Sequence, residues 1–337
     1  MHPGKLPHDL LASLLQRIHQ RDPRVLIGPG IGHDAAVIDT GGPELLVAKT
    51  DPITLAGEMA GWYAVHVNAN DIACTGAKPE WFLATLLLPA GAEPALAENL
   101  FAQITDACAA FDIQLVGGHT EVTLSLDRPI VVGAMLGQVP RDRLVRPDGG
   151  KPSDALILTK GIAIEGTSVF AREAPDRLRA LGVSESWIEE GRSYLTNPGI
   201  SVVLDARVAC DAARIHAMHD PTEGGLATAL YEMAEAGDVG ITIESDAVHI
   251  LPATAEICGA AGLDPLGLLA SGALLIALAE EDCGDVISAL AEAGVPASRI
   301  GSLVSPDAGV IMSDKSGRRP VPHFETDEVA LFLTQSH

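Results

Sequence analysis

Four short segments in the first half of the chain set carboxylates beside glycines or amides, and each suits phosphate or a hard cation. Gly28-Pro29-Gly30-Ile31-Gly32-His33-Asp34 crowds three glycines and two ionisable groups ahead of the apolar run Ala35–Ile38. Glycine lets a backbone approach a phosphate closely, and a carboxylate at a strand entrance can hold Mg²⁺; a tight turn before a strand has the same composition. Thr50-Asp51 closes the apolar run Leu45–Ala48, at a strand end where site residues are often found, although Asp51 reads equally well as a helix N-cap. Asn68 and Asp71 stand three apart in the otherwise apolar Asn68-Ala69-Asn70-Asp71-Ile72-Ala73-Cys74. On a helix they face the same way, and a buried polar pair needs partners, whether a ligand or a structural network. Leu115-Val116-Gly117-Gly118-His119-Thr120-Glu121 puts a glycine pair straight after a strand signal, followed by three polar side chains; His119 also suits a core position.

The second half adds His219-Asp220-Pro221-Thr222-Glu223-Gly224-Gly225. Its spacing is that of a capped helix start, with Asp220 as N-cap, Pro221 at the first helical position and Glu223 three residues after the cap. That reading leaves Gly224 and Gly225 unexplained, because glycines weaken a helix and point to close approach by a ligand or another backbone. Mg²⁺ takes only a few protein carboxylates, and Asp34, Asp51 and Asp71 are enough to supply them. The P-loop pattern, the nucleophile elbow, the H-E-x-x-H helix and the protein-kinase signature are all absent from the sequence.

Charge sets a condition on any such site. The 337 residues carry 22 Lys and Arg against 45 Asp and Glu, a formal charge of −23, which repels nucleic acid and anionic membrane surfaces. A phosphate ligand must therefore be met by cations and backbone N–H groups rather than by a basic patch. Hydrophobic residues make up 47%, yet no uninterrupted apolar run reaches the roughly 18 residues of a membrane span. With no signal-peptide cleavage pattern, the expected location is the cytoplasm. Cys74, Cys108, Cys210, Cys258 and Cys283 are scattered and form no C-x-x-C pair, so reduced, buried thiols are expected.

The elements that must position these residues are mixed along the chain. An amphipathic helix over 7–21 is expected to pack through Leu10, Leu11, Leu14, Leu15 and Ile18. Strands are predicted at Ala35–Ile38, Leu45–Ala48, Trp81–Leu88 and Pro129–Leu136, with helices at Gly57–Cys74 and Pro94–Phe111. The proline- and glycine-rich 146–152 reads as a linker, giving domains of 1–148 and 149–337. Beyond it, strands are predicted at Ala155–Thr159, Gly240–Ile243, Gly272–Leu278 and Ile300–Val304. Helices are predicted at Ile164–Ala180, Ser201–Ala213 and Cys283–Ala293, with another opening after Asp220. The expected class is α+β, mixed α/β, in two domains.

Taken in order, Gly32-His33-Asp34-Ala35-Ala36-Val37, Thr50-Asp51, Asn68-Ala69-Asn70-Asp71-Ile72-Ala73 with Gly76-Ala77-Lys78-Pro79, Gly117-Gly118-His119-Thr120, His219 to Gly225, and Ala270-Ser271-Gly272-Ala273-Leu274-Leu275 resemble a known superfamily. It comprises aminoimidazole ribonucleotide (AIR) synthetase, selenophosphate synthetase, thiamine-monophosphate kinase and the hydrogenase expression/formation protein HypE, and the second-half motif looks most like HypE. The resemblance implies an AIR synthase-like fold, N-terminal domains pairing into a dimeric β-barrel, and an ATP- and Mg²⁺-dependent enzyme. Such an enzyme would phosphorylate or activate an oxygen of a small amide, carbonyl or phosphate substrate. It implies Asp34, Asp51 and Asp71 as metal ligands, and Asp34, Thr50, Asn68, Asp71, Gly117, Gly118, His119 and Thr120 as nucleotide contacts. Asp51, Asp71, His219, Asp220 and Glu223 take the catalytic roles. Two departures stand out: His33-Asp34 replaces a pair of adjacent aspartates, and the last cysteine is Cys283, where HypE reacts through a C-terminal one. They keep open a thiamine-monophosphate-kinase-like phosphotransferase and a nucleotide-binding partner in a maturation complex.

Overall fold

The computed structural model describes residues 6–19, 21–54 and 59–334. The chain divides into two compact units, an N-terminal one of residues 22–28, 34–54 and 59–144 and a C-terminal one of residues 6–19, 21, 29–33 and 145–334. The first helix, α1 (His8–Leu15), belongs to the C-terminal unit.

The N-terminal unit is a six-stranded sheet with two helices. Its strands are β1 (Val25–Ile27), β2 (Ala36–Ile38), β3 (Glu44–Ile53), β4 (Lys78–Pro89), β5 (Gln114–Thr123) and β6 (Ile130–Pro140), in the order β1-β2-β3-β6-β4-β5. All pairs are antiparallel except β4 with β5. The helices are α2 (Ala60–Cys74) and α3 (Pro94–Ala110). Strand periodicity sends Val131, Met135 and Val139 of β6 to the buried face, and the positions between them on that face are Gly133 and Gly137. Their missing side chains let α2 lie close. A Cβ on Gly133 would stand 2.4 Å from Asn68 Nδ2, and one on Gly137 2.6 Å from Ile72 Cγ2. Gly61 of α2 approaches the backbone of α3 in the same way, its Cβ position lying 2.6 Å from the Leu100 carbonyl. Buried between sheet and α3, α2 exposes almost nothing, which is why its sequence is apolar on every side.

The C-terminal unit holds a seven-stranded sheet, β7 (Ala155–Thr159), β8 (Ile215–His219), β9 (Gly240–Glu244), β10 (Leu275–Leu278), β11 (Ala297–Val304), β12 (Val310–Asp314) and β13 (Gly317–Pro320), ordered β13-β12-β9-β11-β7-β10-β8. Its helices are α4 (Ile164–Glu173), α5 (Pro175–Ala180), α6 (Glu185–Ser193), α7 (Val203–Ala212), α8 (Gly225–Gly237), α9 (Pro252–Ala261), α10 (Cys283–Glu292) and α11 (Glu328–Thr334). Strands β7 and β10 are buried at every position, so they read as unbroken apolar runs rather than alternations. Leu226, Leu230 and Met233 of α8 pack on Ile241, Ile243 and Leu275. A second core joins Phe170, Ile188, Ile257 and Phe332.

Several expectations need correction. The helix expected over 7–21 is only α1, and Leu10, Leu14 and Ile18 are exposed rather than packed. Residues 57–58 of the helix expected from Gly57 lie outside the described residues; α2 runs from Ala60. The helix expected over Ile164–Ala180 breaks at Ala174, whose φ of −135° is non-helical and precedes Pro175. Thr50 and Asp51 do not end their strand, since β3 pairs with β6 as far as Ile53. Gly117 and Gly118 lie inside β5, not after it. Within the described residues the N-terminal sheet of the single chain is open, with β1 and β5 at its edges. The five cysteines are reduced; burial pushes the Cys108 thiol up to about 11 and Cys258 to about 12. No helix among the described residues is long and apolar enough to cross a membrane.

Edge pairing supplies a test. Gly118 has φ +149°, and a Cβ there would stand 1.9 Å from the Ala84 carbonyl of β4. Gly118→Ala should therefore cost about 2 kcal/mol or more by strain and lost pairing. Gly41→Ala, at a φ of +84° with nothing within 4 Å, serves as the control for backbone strain alone. Urea unfolding followed by circular dichroism should show the larger loss for Gly118→Ala; equal losses would contradict the close approach.

Candidate functional site

The polar residues predicted on β3 and α2 converge in the N-terminal unit. Strand periodicity puts Lys49 and Asp51 on the same face of β3 as the buried Leu45 and Val47. The face is thus apolar for the first half of the strand and charged for the second. Asp71, one helical turn beyond Asn68 on α2, presents its carboxylate to that charged half. Lys49 Nζ lies 3.3 Å from Asp71 Oδ1 and 3.6 Å from Asp51 Oδ2. Asp71 is buried, while Lys49 and Asp51 keep partial contact with solvent.

Asn68 completes this corner. Its Nδ2 donates to the Ala64 carbonyl at 2.8 Å and to the Asp51 carbonyl at 3.4 Å, above Gly133. Its Oδ1 is fully buried with no hydrogen-bond partner among the described residues. Leaving such an acceptor unmatched costs roughly 1–3 kcal/mol, so the amide is set for a donor other than those of the described residues. Thr50 turns to the other face, where its hydroxyl donates to the Gly133 carbonyl at 2.8 Å. Asp34 lies two residues ahead of Ala36, which pairs with Ala48, so the register brings it to the same end of β3 as Thr50 and Asp51. Two hard carboxylates already gathered around one cationic group, beside an unmatched amide oxygen, are a donor set that fits a divalent ion and a polar ligand.

The edge strand is separate from this corner. Three strand steps divide β5 from β3, about 14 Å across the sheet. Gly117, Gly118, His119 and Thr120 form one wall of a cleft of about 400 Å³, whose other walls include Ala84, Leu86, Phe101 and Ile104. His119 is exposed and pairs with Glu121 at 3.2 Å, not buried in a core.

In the C-terminal unit, His219 ends the edge strand β8 and lies 3.0 Å from Glu232 of α8 through Nε2. Asp220 follows it and is buried, but it does not cap a helix. The backbone reaches α8 only through Gly224 and Gly225, both left-handed with φ of +78° and +64°, so 220–224 is a loop. A Cβ on Gly225 would stand 2.4 Å from the Leu266 carbonyl and one on Gly224 2.1 Å from Thr228 Oγ1, so close packing and left-handed backbone together account for the glycine pair. The Gly224 N–H is taken instead by the Asp327 carboxylate at 2.7 Å, which also accepts from Val329 N.

Around this loop stands a carboxyl that the motif reading missed. Glu165, in the first turn of α4, is buried, hydrogen-bonds Ser271 and feels the charges of Glu223, Asp327 and Asp220. Burial, reinforced by those carboxylates and opposed by Ser271, pushes it up to about 8. Burial also raises Asp327 to about 6, against the pull of its backbone donors. Glu165 is therefore largely protonated at neutral pH and can donate a hydrogen bond.

The folded unit binds these protons more tightly than the unfolded chain, so their stabilising contribution is complete below ordinary carboxyl values. For Glu165 it is lost as pH rises from 4.5 through about 8. Melting temperature should fall between pH 5 and pH 8.5, and Glu165→Gln should flatten the fall, melting about 5 °C above wild type at pH 8.5. Superimposable pH profiles from differential scanning calorimetry would contradict the buried, protonated assignment.

Comparison with known proteins places this geometry in a family. Residues 32–139 match the family model of the AIR synthase related protein, N-terminal domain, and residues 151–313 that of the AIR synthase related protein, C-terminal domain. A putative hydrogenase expression/formation protein of Methanocaldococcus jannaschii is 31% identical over 309 residues, covering 88% of each chain. The carbamoyl dehydratase HypE of Rhizobium leguminosarum bv. viciae is 28% identical over 284 residues, 82% of this chain and 78% of its own. A crystal structure of the hydrogenase maturation protein HypE in complex with ATP superposes with a TM-score of 0.71 at 22% identity, covering 95% of this chain and 91% of that one. The two-unit mixed α/β architecture is thus AIR synthase-like, and the chain belongs to the family of AIR synthase related proteins.

Proposed function

We propose that this protein is an ATP-dependent enzyme that uses Mg²⁺ to move the terminal phosphoryl group of the nucleotide onto an oxygen of a small substrate, with an amide oxygen the favoured acceptor. The observation that carries this reading is the convergence of Asp51 and Asp71 on one cationic seat beside the unmatched Asn68 Oδ1. The relatives lend support: one is named a carbamoyl dehydratase, and a solved neighbour is a complex with ATP.

In this reading Asp51 and Asp71, with Asp34 at the same strand end, hold the metal, while Asn68 Oδ1 accepts a hydrogen bond from the nucleotide. Bound Mg²⁺ neutralises phosphate charge and aligns the transferred group. Thr50 contributes through its fixed backbone, and Gly117, Gly118, His119 and Thr120 complete the nucleotide contacts from β5. His219, Asp220 and Glu223 carry the catalytic roles in the C-terminal domain. There His219, oriented by Glu232, can take a proton from an attacking oxygen. We assign residues 1–148 to nucleotide binding and dimerisation and 149–337 to the second domain. The open edge of β5 supports a homodimer, since Val116 and Val122 on that strand and Leu124 just beyond it are exposed. A partner within a maturation complex is consistent with the hydrogenase-formation relative.

Isothermal titration of ATP with and without Mg²⁺ tests the site. Wild type should bind the Mg²⁺ complex at least about ten-fold more tightly than Asp71→Asn, a loss of about 1.4 kcal/mol. ADP release should rise when one compound of a panel of small amides is added. Binding that ignores both Mg²⁺ and the Asp71 substitution would sink the assignment.

A further inference from the structure

The carboxylate pair carries a cation of its own. Lys49 puts its ammonium between Asp71 at 3.3 Å and Asp51 at 3.6 Å, on a side chain only 22% exposed. Asp71, at 6% exposure, is little screened by solvent, so two carboxylates drawn together there by α2 and β3 would repel strongly without a positive charge between them. A lysine suits such a seat better than an arginine. Its ammonium is a compact point charge on a flexible stem and can be withdrawn, whereas a guanidinium forks onto the carboxylates and stays. The same two carboxylates are the ligands assigned above to a divalent cation, and an ammonium seated between them occupies the place of an ion that binds both.

We infer that Lys49 is a resident counter-ion that the divalent cation must displace, so that metal loading depends on the nucleotide arriving with it. The inference rests on the reading of Asp51 and Asp71 as metal ligands. Without nucleotide, the cation competes with a tethered ammonium and binds weakly. When it arrives with nucleotide, the phosphates supply the negative charge that the displaced ammonium needs, and oxygens for the metal's remaining ligand positions. The acidic pair is thereby kept from retaining free metal, and the site is filled when both components are present. Lys49 is in this sense a positioning residue for the metal.

Mn²⁺ titration followed by the electron paramagnetic resonance signal of the free ion tests this without any activity readout. It is run with and without a non-hydrolysable ATP analogue on wild type, Lys49→Gln, Lys49→Arg and Asp71→Asn. In wild type the analogue should strengthen Mn²⁺ binding by about ten-fold or more, and Lys49→Gln should bind Mn²⁺ alone about ten-fold more tightly than wild type, with a smaller further gain from the analogue than wild type shows. Lys49→Arg, which keeps the charge, should bind Mn²⁺ alone no better than wild type. Melting gives an independent check on folding, because Lys49→Gln should melt below wild type in chelator and recover in Mn²⁺. Mn²⁺ binding that needs Asp71 but is not strengthened in Lys49→Gln overturns the inference and leaves the metal site standing. An equal gain in Lys49→Arg overturns it too, as does a stability loss that Mn²⁺ does not restore. Binding unchanged in Asp71→Asn overturns the metal site and this inference together.

Discussion

The close seating of α2 on the N-terminal sheet is the constraint from which the polar corner follows. It depends on small residues at the contact: Gly133 and Gly137 leave no side chains beneath Asn68 and Ile72, and Gly61 lets α3 close over the other side. Because α2 is buried on both flanks, its polar groups cannot turn to water: His66 and Asn68 bond carbonyls of their own helix, while Asn68 and Asp71 also need partners on β3. Strand periodicity supplies them, replacing the apolar Leu45 and Val47 with Lys49 and Asp51 on the same face. Packing, rather than any local motif, thus turns separated carboxylates into one charged centre.

The C-terminal unit solves a different electrostatic problem. Its acidic loop gathers Glu165, Asp220, Glu223 and Asp327 where solvent reaches poorly, and here no lysine answers them among the groups that shift Glu165. The charge is relieved by protonation and by backbone donors, since Glu165 holds its proton and Asp327 accepts from Gly224 and Val329. One unit therefore pairs its carboxylates with a tethered cation, and the other keeps one neutral by burial. Carboxylates of these two kinds suit the opposed tasks of holding metal and donating a hydrogen bond.

What could be read from the sequence was whatever is local. The unbroken apolar run at Ala155–Thr159 marked β7, and the spacing of Asn68 and Asp71 marked a shared face on α2, because period and burial coincide there. Lys49 was illegible: a lysine inside a strand reads as solvent-facing until the helix above it is placed. Glu165 carries no local mark in the sequence, since its neighbours Ser271 and Asp327 are more than a hundred residues away. The spacing of Asp220, Pro221 and Glu223 suggested a capped helix, but two consecutive left-handed glycines and an acceptor 103 residues distant moved the start to α8. The edge position of β5 was equally hidden, because exposure of an edge follows from strand order and not from strand composition.

If Asp51 and Asp71 form a metal seat that Lys49 fills until nucleotide arrives, metal and ammonium must exchange places on loading. A crystal structure of the protein with Mn²⁺ and a non-hydrolysable ATP analogue, phased to reveal the manganese by its anomalous signal, addresses it most directly. A manganese peak should stand about 2.1 Å from an oxygen of each of the two carboxylates, with the Lys49 ammonium moved out from between them. A peak elsewhere, with Lys49 still bridging Asp51 and Asp71, would contradict it.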